Sequence, residues 1–256
     1  MPRMPALFIG HGSPMNALER NRYSEVWRAL GASLPKPKAV LCISAHWLTR
    51  GLAVTAMPRP RTIHDFGGFP QALFNVQYPA PGDAALAQQV CELLKPLPVT
   101  LDTEWGLDHG AWSVLVHLFP EADVPVLQLS LDAGQPEAFH YAIGQKLAVL
   151  RDEGVLVLGS GNVVHNLRRL NMQSGQAYEW ATRFETFTRR AIEAREHAAL
   201  INWPAQGPDA AQSIPTPEHY WPLLPILGAQ AADETARVVV DGIELGSISM
   251  LSVQVG

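Results

Sequence analysis

The chain has 256 residues, of which 47% are hydrophobic and 17% charged, and it carries a formal net charge of -5. That is enough chain for one large core, it leaves no long polar tract to read as disordered, and its acidic balance offers no basic footprint for nucleic acid. No stretch approaches the roughly 18 uninterrupted apolar residues of a membrane span, and Met1-Pro2-Arg3-Met4-Pro5 lacks the apolar region and cleavage site of a secretory signal, so no membrane partner is expected and a cytoplasmic protein is.

The first predicted strand, residues 6–10, is apolar and stops at His11. Tyr23, Val26, Trp27 and Leu30 then recur at helical spacing. A second apolar run, residues 39–45, contains Cys42 and stops at His46. Pro81-Gly82-Asp83 reads as a turn whose aspartate caps a helix with Leu86, Val90, Leu93 and Leu94 on its buried face, ended by Pro96. Cys91 falls inside that helix. The two cysteines therefore read as small buried hydrophobes, with neither a disulfide framework nor a paired-cysteine zinc motif.

Residues 105–110 read as a loop at the mouth of a site, with a helix over residues 111–118 behind it. Residues 124–131 form another predicted strand, followed by a helix carrying Ile143, Leu147 and Leu150. A third histidine-bearing run, residues 155–162, leads into His165. Next comes an amphipathic helix whose Trp180, Phe184, Phe187 and Ala191 stripe reads as core packing. Residues 201–217 read as a proline-rich loop feeding a helix, and residues 237–241 and 247–253 as a closing hairpin at the sheet edge. The alternation of apolar runs and helix-period segments predicts a single α/β domain, residues 1–256, with a central, mostly parallel mixed sheet flanked by helices.

In such a sheet the carboxyl ends of parallel strands face one crevice, so His11, His46 and His165 can converge there although far apart in sequence. His11 is bracketed by Gly10 and Gly12, which permit a tight turn and close approach to the ring. His219 follows Thr216, a helix cap, and Pro217. The positive end of a helix would keep its ring neutral, as a metal ligand must be. Gly159-Ser160-Gly161-Asn162 also resembles a phosphate cradle but lacks the lysine of a P-loop. His109 is either half of a structural pair with Asp108 or a polar group at the site mouth. His64 lies in a segment suited to a pocket wall or lid, and His117, His140 and His197 read as solvated or locally hydrogen-bonded.

Converging neutral imidazoles suit zinc, copper, nickel or iron. A zinc hydrolase is one consequence, although it needs a carboxylate base and Glu218 is the only glutamate beside a candidate ligand. A non-catalytic metal-binding protein is another. Gly10-His11-Gly12-Ser13-Pro14, Ser44-Ala45-His46-Trp47, Asp65-Phe66-Gly67-Gly68-Phe69-Pro70, Gly106-Leu107-Asp108-His109-Gly110, Gly159-Ser160-Gly161-Asn162 with His165-Asn166, and Pro215-Thr216-Pro217-Glu218-His219 together resemble the class III extradiol ring-cleavage dioxygenases, more narrowly their DOPA 4,5-dioxygenase-like branch. These motifs run in order over nearly the whole chain.

The resemblance implies a non-haem Fe(II) site that binds a small aromatic diol through its two oxygens, takes O2 at an open position and cleaves the ring beside the diol. It implies His11 and His46 as metal ligands. His219 stands where many relatives have a glutamate ligand, so the third ligand would be neutral, and Zn(II) is expected to bind readily in place of iron. His165 corresponds to the acid/base histidine and, beside His219, could also serve as a fourth ligand. His109 would hydrogen-bond dioxygen or a substrate hydroxyl, and Ser13, Asn16 and Phe69 are candidate pocket residues. Nothing in the sequence fixes an oligomeric state.

Overall fold

The structure is a computed structural model describing residues 3–256. Its centre is a six-stranded sheet built from β1 (Ala6–Gly10), β2 (Ala39–Ser44), β3 (Val126–Gln128), β4 (Val155–Gly161), β5 (Ala236–Val240) and β6 (Ser252–Val255), in the spatial order β3-β2-β4-β1-β6-β5. β3, β2, β4 and β1 run parallel, and β6 and β5 add an antiparallel edge.

The uninterrupted apolar runs of β1, β2 and β4 follow from burial on both faces. Phe8, Leu41, Ile43 and Val157 point to one side, where they join the packing of helices Glu137–Leu147, Glu179–Glu193 and Leu223–Gly228. Leu7, Ile9, Val40, Cys42, Leu156 and Leu158 point to the other, against Trp27 of helix Arg22–Ser33 and Trp112 and Leu115 of helix His109–Leu118. Among the described residues no helix is long and apolar enough to cross a membrane.

Several predicted boundaries shift. The strand expected over residues 124–131 breaks after Gln128, because Ser130 turns to a neighbouring segment: its N–H donates to Ala53 O (2.8 Å) and its hydroxyl accepts from Ala53 N (2.8 Å). The helix expected to begin at residue 111 starts at His109, since Asp108 caps it by accepting from Ala111 N. Residues 201–217, expected as loop, contain the short helix Pro208–Ser213. The helix expected after Thr216 is a single 3-10 turn, Pro217–His219, and the Thr216 hydroxyl donates to Glu218 instead of capping it. The dipole argument for a neutral His219 therefore lapses, and burial takes its place.

The parallel register sets Gly10 beside Gly161 and Ser44 beside Ser160. Three strands thus end on one edge. His11 follows β1 directly, His46 lies two residues beyond β2, and Asn162 continues β4.

Candidate metal centre

His219 reaches this edge because Gly161 has no side chain. A Cβ on Gly161 would lie 2.1 Å from the His219 carbonyl oxygen, and that same oxygen accepts from Asn162 N at 2.8 Å. The glycine-rich run that resembled a phosphate cradle is thus a surface for close backbone packing. His11, His46, His109, His165 and His219 all line one cavity of about 340 Å³, a size within the ~300–1,000 Å³ of small-molecule sites. Its remaining wall includes Asp65, Phe66, Phe69, Leu167, Leu170 and Ile248.

The ring centroids of His11, His46 and His219 form a nearly equilateral triangle: 5.1 Å between His11 and His46, 5.6 Å between His11 and His219, and 5.1 Å between His46 and His219. Their planes are mutually inclined by 51°, 50° and 90°. Two imidazoles on one tetrahedral cation, each bonded at about 2.1 Å, would stand about 5 Å apart between centroids. His109 lies closer to His46, with centroids 3.9 Å apart. Potential donor atoms fall into two tight sets, each mutually within 4.8 Å: His11 with His46 and His109, and His165 with Glu218 and His219.

Proton placement follows from the partners. The Ser160 hydroxyl donates its one proton to Gly110 O (2.5 Å), so towards His11 Nδ1 (3.0 Å) it accepts; His11 carries its proton on Nδ1 and leaves Nε2 bare. His46 Nδ1 faces Asp65 Oδ2 at 3.3 Å, which keeps the His46 proton on that nitrogen too. The two Nε2 atoms lie 3.2 Å apart and, with both protons on Nδ1, meet lone pair to lone pair. A cation between or beside them relieves that repulsion, and an all-nitrogen, neutral donor set suits zinc or ferrous iron. His219 Nδ1 donates to Glu218 Oε1 at 3.2 Å, again leaving Nε2 for the site.

Burial, reinforced by the neighbouring imidazoles, holds His11 and His219 well below the ordinary histidine range. Burial and His109 bring His46 to about 4, against the opposing pull of Asp108, Asp65 and Glu218. Burial brings His165 to about 4 as well. The rings are neutral at pH 7, as ligation requires. Burial would raise Asp65, but the hydrogen bonds and charge of His109, with the charge of His46, outweigh it and hold that carboxyl at about 2.

His165 stacks on His219 with centroids 3.5 Å apart and planes within 9°. Of the pocket candidates, Ser13 and Phe69 line the cavity, while Asn16 lies beneath it and donates to the His11 carbonyl at 3.0 Å. His64 bonds to Val76 O and lies outside the cavity lining. His117, His140 and His197 are buried elsewhere, so a solvated role does not hold for them; His117, for example, lies between Asn16 O (2.8 Å) and Arg28 (3.2 Å). Sequence reasoning gave no role to Asp65 or Ser160. Both lie inside the quoted motifs, and their function becomes visible only once segments distant in sequence are brought together.

Fold and site define an α/β metalloenzyme with a cavity for a small molecule. The chain matches the family described as the catalytic LigB subunit of aromatic ring-opening dioxygenase over residues 5–255. It is 54% identical, over 99% of its length and 95% of the relative's, to a protein of Escherichia coli strain K12 named 4,5-DOPA dioxygenase extradiol. A Beta vulgaris protein of the same name is 37% identical over 94% of this chain and 92% of its own. The crystal structure of an uncharacterized protein from Escherichia coli K12 superposes with a TM-score of 0.88 at 49% identity, covering 99% of this chain and all of that one. The chain belongs to the LigB family and is an extradiol ring-opening dioxygenase, which requires a metal cofactor, an aromatic substrate and O2. The hydrolase alternative is not favoured.

Proposed function

We propose that this enzyme opens the ring of a DOPA-like catechol with ferrous iron as its working metal, in one catalytic domain spanning residues 1–256 of a cytoplasmic protein. The convergence of the His11, His46 and His219 rings on one cavity carries this assignment. The names of the Escherichia coli and Beta vulgaris relatives support the substrate class, and two unpaired cysteines suit a reducing compartment.

His11, His46 and His219 are the proposed ligands. Bound ferrous iron would gather catechol and O2 at one centre and pass electron density between them, whereas zinc would fill the same nitrogens without that redox capacity.

His165 is the proposed acid/base. While stacked on His219 it cannot direct an in-plane lone pair at the same cation, and its position on the cavity wall leaves it for the substrate. As a neutral ring it accepts a proton from a substrate hydroxyl and returns it later in the cycle. The Asp65 carboxylate 3.0 Å from His109 Nδ1 favours the proton on that nitrogen, which leaves Nε2 as the acceptor for a substrate hydroxyl. Phe66, Phe69, Leu167 and Leu170 grip the aromatic ring and exclude water.

The test is to strip the full chain of metal, load Fe(II) without oxygen, add DOPA and admit air. Oxygen uptake with a yellow ring-opened product is expected. A panel of catechols left intact, with ester or amide turnover by the zinc-loaded protein, would overturn the proposal.

A further inference from the structure

One carboxylate touches two of the site's histidines. Asp65 Oδ2 lies 3.3 Å from His46 Nδ1, and Asp65 Oδ1 lies 3.0 Å from His109 Nδ1 and accepts from the His109 backbone N–H at 2.9 Å. The two histidines belong to different segments, His46 just beyond β2 and His109 at the first turn of helix His109–Leu118. Their rings are 3.9 Å apart.

The loop that carries Asp65 is fixed on both sides. Ile63 N donates to Leu107 O (2.7 Å) and Ile63 O accepts from Trp112 Nε1 (2.7 Å); on the far side Phe66 sets its ring edge-on to His109 at 5.5 Å and to Phe69 at 5.4 Å. The Asp65 side chain is only 19% exposed and lines the catalytic cavity. An anchored carboxylate behind a ligating imidazole fixes the tautomer and orientation of that ring and raises its donor strength.

We propose that Asp65 is a positioning residue that holds the metal ligand His46 and the substrate-facing His109 with a single carboxylate, so that metal affinity and proton handling depend on the same side chain. The inference rests on the ligand set of the proposed function. Both Asp65 oxygens are needed for it, because each faces a different ring. Asparagine keeps the shape but turns an NH2 towards one of two N–H groups, so D65N removes one acceptor without opening a cavity.

The experiment titrates the metal-stripped full chain with Co(II), competing against a chelating dye, for wild type, D65N, D65A and D65E, and then measures kcat and KM for DOPA after Fe(II) loading. D65N and D65A are expected to bind Co(II) about 10- to 100-fold more weakly than wild type and to lose kcat more than KM, with D65E regaining part of both. If D65N stays folded and binds Co(II) within twofold of wild type, the proposal is overturned. A lower thermal midpoint of the metal-free variant at unchanged Co(II) affinity overturns it equally, because that is the signature of a purely structural residue. Failure of wild type itself to bind Co(II) would instead sink the ligand assignment.

Discussion

His165 lies face to face with His219, 3.5 Å away and within 9° of parallel, whereas His219 meets His46 at 90°. A metal bonds imidazole in the ring plane. Inclined planes can meet at one ion; two nearly parallel planes 3.5 Å apart do not. On the proposed ligand set, the pair divides labour between a ligand, His219, and a proton carrier, His165.

His165→Ala is expected to keep the metal and to lower kcat for ring opening by about 100- to 10,000-fold, the usual worth of a general acid/base. His219→Ala is expected to lose metal on gel filtration. Metal content and oxygen uptake measured side by side check both; loss of metal from the His165 variant would reverse the assignment.

Ser160 sets the His11 tautomer from a fully buried position. Ser160→Ala leaves the His11 Nδ1–H without its acceptor. That is expected to cost about 1–3 kcal/mol in urea unfolding and to weaken Co(II) binding about tenfold or more. Unchanged affinity would mean that the hydroxyl does not orient the ring.

Gly161 admits the His219 backbone to the strand edge. A Cβ there would sit 2.1 Å from the His219 carbonyl, so Gly161→Ala must displace the His219 segment. Destabilisation of about 1–3 kcal/mol is expected, together with weaker Co(II) binding. Gly67→Ala, where a Cβ meets nothing within 4 Å, is the control and should stay within about 0.5 kcal/mol of wild type.

His140 supplies a pH dependence away from the metal. It is buried against Trp221, and desolvation lowers it to about 4 from its ordinary 6.5. Between those values the unfolded chain binds more protons than the native one, so stability is full above pH 6.5 and falls as pH drops towards 4, by up to about 3 kcal/mol from this residue. His140→Gln should flatten the pH dependence of the urea midpoint over that window. An unchanged slope would show that His140 does not remain neutral in the native protein.

The sheet was legible in the sequence because β1, β2 and β4 are apolar on both faces and each run stops where chemistry begins. His11 and His46 follow those ends closely, so their placement could be read from strand topology alone. The Asp65 contacts could not, because they join residues 46, 65 and 109 through a loop whose course depends on Trp112 and Leu107. The turn at Pro217–His219 departs from the expected helix for a related reason. Thr216 looked like a cap, but its hydroxyl is taken by Glu218, and that same carboxylate accepts from His219. Local pattern locates the histidines; tertiary contacts set what each one faces.

The most direct test is a crystal of the cobalt-loaded full chain with anomalous data at the cobalt edge. One peak is expected within about 2.3 Å of Nε2 of His11, His46 and His219, with His165 outside bonding distance. A peak held instead by His165, Glu218 and His219, or one bonded to His109 in place of His219, would contradict it.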